Sequence, residues 1–319
     1  MSVYFANIKP QQLKDTSPTG KTCQDKVLHL SMNAIASRIA NTRADGSIRV
    51  WKITSQGPSD CVQIKSGHAE PVERVSWHPS TDNRFASVGG DAIVKVWTSA
   101  GVLEREVHLG SEKGEEKFRL VDYSVDGSYL SVVDGSRLLV LDVKNGYQKL
   151  HEETLASVVS EVKWSYDQNT VLVGLQDGRI VIFRVGESLE QLAMLSGARS
   201  AVNSIAIDPK GRVICAGCEE GIVYFWRTSD LQNSQALTKI DESVTCVDIN
   251  RDGNYLAVSY AKDSNTRIYD VGTLQQVHEI PDTASKTVGS SSIKWLPNLT
   301  GYIYTADQTK LVFYAKKSV

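Results

Sequence analysis

The sequence lacks most of what would mark a chain for export, for a membrane or for catalysis. Its five cysteines (Cys23, Cys61, Cys215, Cys218 and Cys246) are an odd, scattered set. That argues against a disulfide framework and for free thiols in a reducing compartment. No run approaches the roughly 18 consecutive apolar residues of a membrane span. The opening stretch MSVYFANIKPQQLKDTSPTGK has no basic segment followed by an apolar one, so the chain is expected to be neither exported nor membrane-embedded. Charge of either sign is not in excess: 35 Lys and Arg face 37 Asp and Glu, a formal net charge of -2. The general attraction to phosphate that supplies most non-specific nucleic-acid binding is therefore missing, and any work on RNA or DNA is expected to run through partners. Phosphate loops, dinucleotide fingerprints, nucleophile elbows and HExxH helices are absent too, and the six histidines are scattered. No catalytic residue, cofactor or metal is expected.

What is present is a repeat. A chain that is 41% hydrophobic and 23% charged has an ordinary soluble composition, which excludes the disordered and fibrous classes. Along it recurs an acidic residue, usually followed by a small or polar one, then an alternating apolar stretch ending in an aromatic residue or Leu. The seven copies are DGSIRVW from Asp45, DAIVKVW from Asp91, DGSRLLVL from Asp134, DGRIVIF from Asp177, EGIVYFW from Glu220, DSNTRIY from Asp263 and DQTKLVF from Asp307. Their acidic positions are 46, 43, 43, 43, 43 and 44 residues apart, the length of one WD-repeat blade. Upstream of each lies a pair of Val- and Ile-rich segments with period-2 alternation, such as VERVSWHP and RFASV, and a weaker strand such as VLEREV follows each aromatic end. Asp126-Gly127, Asp252-Gly253 and Pro209-Lys210-Gly211 supply the turns.

Four strands per repeat make one propeller blade, and blades bury their faces against one another. The fold class is thus all-β, a seven-bladed WD-repeat β-propeller in a single domain over residues 1–319. Trp77, Trp164 and Trp295, with Leu30, Tyr123, Ile207 and Ile249, are expected near the end of each first strand as inter-blade core. Only six residues follow Phe313, too few for a turn and a fourth strand. Residues 2–8 are therefore expected to complete blade seven, with Val3 to Ile8 as its outermost strand and residues 9–25 as a connector. That arrangement would also cover an open sheet edge.

Three clusters resemble chemistry. Gly67-His68, Ser87, Asp91 and Trp97 match the positions of a hydrogen-bonded chain inside one blade, and a structural network of His68, Ser87, Asp91 and Trp97 is expected rather than a catalytic triad. Blade one keeps Thr42, Asp45 and Trp51 of that set, and blade five has Gly197-Ala198 where Gly-His would stand. Cys215-Ala-Gly-Cys218 has the spacing of half a zinc site, but no second pair of ligands accompanies it, so a packed pair of thiols is expected. Asn298-Leu299-Thr300 reads as a turn. Candidate partner-binding residues fall on the connectors, where a rigid scaffold carries function: Arg43, Glu70, Lys113, Glu115, Arg199, Glu219, Lys262 and Lys286.

The blade sequences GHAEPVERVSWHPSTDNRFASVGGDAIVKVW, VSEVKWSYDQNTVLVGLQDGRIVIF and AVNSIAIDPKGRVICAGCEEGIVYFW resemble those of the WD-repeat subunit of the THO complex. The likeness runs through all seven repeats, including the replacement of the terminal Trp by Leu141 and Phe183 in blades three and four. It implies a nuclear, non-catalytic protein-protein interaction subunit of the THO (TREX) assembly, which couples transcription elongation to mRNA packaging and export. The implied partners are a large α-helical THO scaffold subunit, the other THO subunits and, indirectly, a DEAD-box RNA helicase and mRNA. The fold equally allows a WD-repeat adaptor of another nuclear complex, in chromatin or a ubiquitin ligase, or a direct RNA-binding propeller.

Overall fold

The computed structural model describes residues 5, 8–13, 26–54, 57–65, 67–110, 117–261, 265–280, 292–297, 301–306 and 310–316. Its elements are β-strands throughout, and they form seven four-stranded antiparallel sheets. The fold is the all-β, seven-bladed propeller that the repeat predicts. Six blades are consecutive in sequence: residues 27–64, 72–108, 118–154, 159–195, 202–237 and 244–280. Blade two shows the plan, with strands Val72–Trp77, Arg84–Gly89, Ile93–Thr98 and Leu103–His108 paired in order.

Burial explains why each strand reads as it does. In blade two the second strand is buried at five of six positions, whereas the fourth is exposed at five of six. The fourth strands LEREVH, QKLHEET and NSQAL are accordingly polar, and the apolar alternation fades toward them. A register shift recurs near the start of the first strand, at Val27/His29, Val72/Arg74, Phe118/Leu120, Val202/Ser204 and Val244/Cys246. Such a bulge re-aims the side chain that follows it.

Blade seven is completed from the N-terminus, but by different residues from those expected. Ile8–Gln12 pairs antiparallel with the strand Lys310–Lys316, in register Ile8↔Lys316 to Gln12↔Val312. The strand therefore begins where Val3 to Ile8 was to end and occupies part of the expected connector. Polarity accounts for the shift, because the outermost strand of a blade is its wet strand and IKPQQ suits it better than an apolar run. Pro10 is tolerated there because an edge strand need not donate every N–H. The apolar residue Phe5 instead lies 4% exposed in the core, stacked on His278 with ring centroids 4.7 Å apart and edge-on to Tyr255 at 5.2 Å. The remainder of residues 2–7, together with the turn at Asn298, lies outside the described residues.

Contacts group the chain into two compact units. One comprises residues 25–173 and 182–192, with blades one to three and most of blade four. One of its clusters packs Ala86, Val88, Val94 and Val96 of blade two against Phe118, Val121, Leu130, Val132, Leu139 and Leu141 of blade three. The other comprises residues 1–24, 174–181 and 193–319, with blades five to seven. There Val244, Val247, Leu256, Val258 and Tyr269 pack with Cys215 and Phe225. Trp77, Trp164, Trp295, Tyr123, Ile207 and Ile249 are all buried as expected. In blade one, however, the residue in register with Trp77 is Met32, not Leu30: Met32 faces Ile39 as Trp77 faces Phe85. Leu30 is also buried, because it lies two residues earlier on the same face.

Candidate functional site

The connector before blade two carries Gly67-His68 over the sheet, the second strand supplies Ser87, the third supplies Trp97, and the turn between them supplies Asp91. Four polar groups meet there. His68 Nδ1 is 2.7 Å from Asp91 Oδ1, His68 Nε2 is 2.7 Å from Ser87 Oγ, and Trp97 Nε1 donates to Ser87 Oγ at 2.8 Å. With the ring neutral, each donor has an acceptor: indole N–H to hydroxyl oxygen, hydroxyl hydrogen to Nε2, and Nδ1–H to the carboxylate. The Ala69 N–H closes the chain on Asp91 Oδ2 at 3.1 Å. Burial pushes the Asp91 carboxyl up, but the hydrogen bonds from His68 and the Ala69 N–H outweigh it and hold the group below the usual carboxylate range.

Ser, His and Asp thus stand in the order of a nucleophilic triad, yet the arrangement is built for structure. Ser87 is 0% exposed and its oxygen is already occupied by the Trp97 indole, whereas a nucleophile must reach a substrate carbonyl. The backbone is close as well. A Cβ added to Gly89 would stand 2.8 Å from the Pro71 carbonyl oxygen and 3.2 Å from the His68 ring, so glycine lets the connector settle onto the sheet.

The equivalent positions in other blades show how far this device is kept. In blade one the partner of the terminal indole is Asn41, whose Oδ1 accepts from Trp51 Nε1 at 2.9 Å. Thr42, expected in that role, instead accepts from the His29 N–H at 2.9 Å. The register gives the reason, because Asn41 faces Arg49 as Ser87 faces Lys95. In blade five Ala216 stands at the serine position, and Trp226 Nε1 donates to the Ser196 carbonyl at 3.2 Å. Blade three places Val132 and Leu141 at the serine and tryptophan positions, both 0% exposed.

Cys215 and Cys218 lie on the strand Val213–Cys218 and are both buried. They stand where Ala86 and Gly89 stand in blade two: Cys215 faces Ala206 as Ala86 faces Ser76, and Cys218 faces Val202 as Gly89 faces Val72. Three residues apart on a strand, they project to opposite faces, so they are two separately packed thiols rather than a pair and cannot share a metal. Burial pushes both thiols up, Cys218 to about 12, which leaves them protonated and unreactive at neutral pH. Among the described residues no group of three His, Cys, Asp or Glu could hold a metal ion.

The expected partner-binding residues separate into three groups. Arg43 is not on the rim. It is the last residue of the strand Arg38–Arg43, pairs with Val27 as Gly89 pairs with Val72, and is 0% exposed. Its position on the strand, two residues before Asp45, buries it where a turn was expected. Glu70, Arg199 and Glu219 are exposed. Arg199 and Glu219 both belong to connections of blade five: the Arg199 N–H donates to Glu220 Oε1 at 3.2 Å, and the Glu219 N–H to the Ala201 carbonyl at 2.9 Å. Tyr224 donates to the same Glu220 oxygen at 2.8 Å, and burial, with that carboxylate, pushes its hydroxyl up to about 12. Lys113, Glu115, Lys262 and Lys286 lie outside the described residues.

One pairing has no sequence signal at all. Arg74 of blade two and Glu161 of blade four form a bidentate ion pair, at 2.5 Å for Nη1–Oε1 and 2.9 Å for Nη2–Oε2, with side chains 20% and 9% exposed. Each is the third residue of its first strand, and Leu120 holds that place in blade three. Planar two-point pairing of this kind is strong and geometrically exacting.

Blades of this plan, one with the complete His-Ser-Asp-Trp chain, define the molecule as a WD-repeat β-propeller. A family model described as WD domain, G-beta repeat matches residues 59–98, the span that holds that chain. A second, described as eukaryotic translation initiation factor eIF2A, matches residues 106–282, more than half of the chain, and the chain belongs to that family. The matched span runs from the end of blade two through blade six, so what is shared is the repeated blade. Among curated proteins the chain is similar to THO complex subunit 3 of Arabidopsis thaliana, 28% identical over 88% of this chain and 87% of the relative. It is also similar to Protein TEX1 of Saccharomyces cerevisiae, 22% identical over 90% of this chain and 71% of the relative. Pre-mRNA-processing factor 19 of Dictyostelium discoideum is 21% identical over 97% of this chain and 52% of its own length. The THO-type resemblance of the blade sequences is thus found along nearly the whole chain.

Proposed function

We propose that this propeller is a non-catalytic protein-protein interaction subunit of a nuclear THO-type (TREX) assembly, working where transcription elongation is coupled to mRNA packaging and export. The observation that carries the reading is the similarity to THO complex subunit 3, which spans 88% of this chain and 87% of that protein. A likeness so nearly end to end covers the connectors as well as the blades, and connectors are where propellers differ in what they bind. The initiation-factor match, by contrast, covers residues 106–282 and leaves out blade one, most of blade two and blade seven. The partners in this reading are a large helical THO scaffold subunit and, through it, a DEAD-box helicase and mRNA. A scaffold role is supported by the Ser-His-Asp order of blade two being occupied internally by Trp97 and closed to substrate.

Affinity purification of the tagged chain from nuclease-treated nuclear extract at moderate salt, with partners identified by mass spectrometry, tests the reading. Helical THO subunits and a DEAD-box helicase are the expected recovery. Chromatin or ubiquitin-ligase subunits in their place would move the chain to another adaptor class, ribosomal subunits would favour a translation role, and loss of every partner on nuclease treatment would favour direct RNA binding.

A further inference from the structure

In an antiparallel blade the turn between the first and second strands and the turn between the third and fourth lie at the same end. In blades one to four that end is unusually apolar. Ile35 in blade one is 58% exposed, Val125 in blade three 39% and Tyr166 in blade four 51%; all three lie in first-to-second-strand turns. Val102, in the third-to-fourth-strand turn of blade two, is 59% exposed. Singly exposed apolar residues need no explanation, but these share one end of the blades and recur at nearly the same turn position.

The turns are also held stiff. Each is closed by its own backbone bond, Ala36 N–H to Asn33 O at 3.0 Å, Gly127 to Ser124 at 2.9 Å and Gln168 to Ser165 at 3.3 Å. Neighbouring turns are stitched together, Asn33 Nδ2 donating to the Asp82 carbonyl at 3.4 Å and Ser80 Oγ to the Asp126 carbonyl at 3.2 Å. A surface fixed in this way loses little conformational freedom when it is covered.

Charge states what would cover it. The first-to-second-strand turns of blades one to four (residues 33–37, 78–83, 124–128 and 165–169) contain Asp82, Asp126 and Asp167 and not one Lys or Arg. Burial pushes the Asp126 carboxyl up, but hydrogen bonds from Ser128 and Ser124 outweigh it, so the group keeps its charge. Of the cations that open the following strands, Arg84 in blade two is bound to Glu104 at 2.6 Å and Arg38 in blade one is half-buried. The same turns of blades five and six carry exposed Lys210, Arg212 and Arg251, so acidity is a property of this set and not of the turn itself.

We propose that the first-to-second-strand turns of blades one to four, with Val102, form a docking surface for an amphipathic partner helix whose apolar face is flanked by Lys and Arg. Ile35, Val125 and Tyr166 receive the apolar face, and Asp82, Asp126 and Asp167 receive the cations. Such recognition combines apolar anchors with charge steering.

The test uses the full chain and two synthetic helical peptides with the same leucine face, one flanked by Lys and the other by Glu, read by fluorescence anisotropy and hydrogen exchange. The Lys peptide is expected to bind at least about tenfold more tightly, to weaken as salt rises, and to protect the four turns. The surface variant Ile35→Glu/Val125→Glu/Tyr166→Glu, checked for unchanged melting, is expected to lose that binding. Glu70→Lys/Glu219→Lys, at the opposite end of its blades, is expected to keep it. Equal binding of both peptides, binding of neither, protection elsewhere, or binding that survives the triple change would overturn the proposal. None of these results bears on THO-type assembly, which stands or falls on co-purification.

Discussion

Blades two and three pack against each other, yet they solve the same interior problem with opposite chemistry. Blade two buries an indole, a hydroxyl, an imidazole and a carboxylate and satisfies each through the next. Blade three buries Leu130, Val132, Val133, Leu138, Leu139, Val140 and Leu141, each at most 1% exposed, and sets Val132 and Leu141 at the places of the serine and the tryptophan. The comparison teaches that the polar chain is a set and not a collection. Once Leu141 replaces the indole there is no N–H to satisfy, and Val132 costs nothing where serine would be an orphan. A half-kept network is the expensive state, and blades one and five avoid it by giving the indole another acceptor, Asn41 Oδ1 and the Ser196 carbonyl.

The heaviest blow to this symmetry is to remove the large side chain from either blade. Trp97→Ala is expected to cost about 3–5 kcal/mol and Leu141→Ala about 2–5 kcal/mol, both chiefly as cavities. Chemical denaturation checks this. Near-equal losses mean that packing dominates in both blades, whereas a Trp97 loss far beyond the cavity range would show the network contributing more than its parts. A finer cut is Ser87→Val, which introduces the valine of blade three and strands His68 Nε2 and the indole N–H together. It is expected to cost about 1–3 kcal/mol for each orphaned group. Completing the conversion with Trp97→Leu and His68→Leu should then cost less than the sum of the three single changes. Additive losses would mean that the network is only a list of separate bonds.

The same contrast explains what could be read from the sequence. The acidic turns recur every 43 to 46 residues because every blade needs the same tight connection, and that periodicity carries the fold. Exact register was less legible where residue type pulled against spacing. Thr42 looks more like Ser87 than Asn41 does, but Asn41 stands four residues before Asp45 as Ser87 stands four before Asp91, and an amide oxygen accepts from an indole as well as a hydroxyl does. The same count puts Arg43 level with Gly89, on a strand and buried, although its charge suggested the surface. The apolar run Val3 to Ile8 looks more like a strand than IKPQQ does, yet the outer edge of a blade takes polar residues. Arg74 and Glu161 are 87 residues apart, and only the assembled strands bring them together. The apolar turns were equally hidden, since Ile35, Val125 and Tyr166 gain meaning only when the turns fall at one end.

The smallest expected effect isolates the charged end of blade two. Asp91 has a carboxyl pKa below its ordinary value in the folded protein, so it binds a proton less readily folded than unfolded. The stability this contributes is complete above the ordinary carboxylate range, near pH 4 and higher, and is lost as pH falls through the lower folded value. Asp91→Asn keeps the shape but removes the ionisation. At neutral pH the variant should be less stable than the wild type, because the His68 Nδ1–H loses a charged acceptor. As pH drops below about 4 the wild type should lose its advantage and the two curves should converge. Leu141→Val in blade three, which exchanges one aliphatic side chain for another, should instead run parallel to the wild type across the same range. Thermal melts between neutral and acid pH compare all three. A gap between wild type and Asp91→Asn that stays constant into acid would mean that the carboxylate is not held by His68 as a charge, and the polar chain of blade two would then be a matter of shape alone.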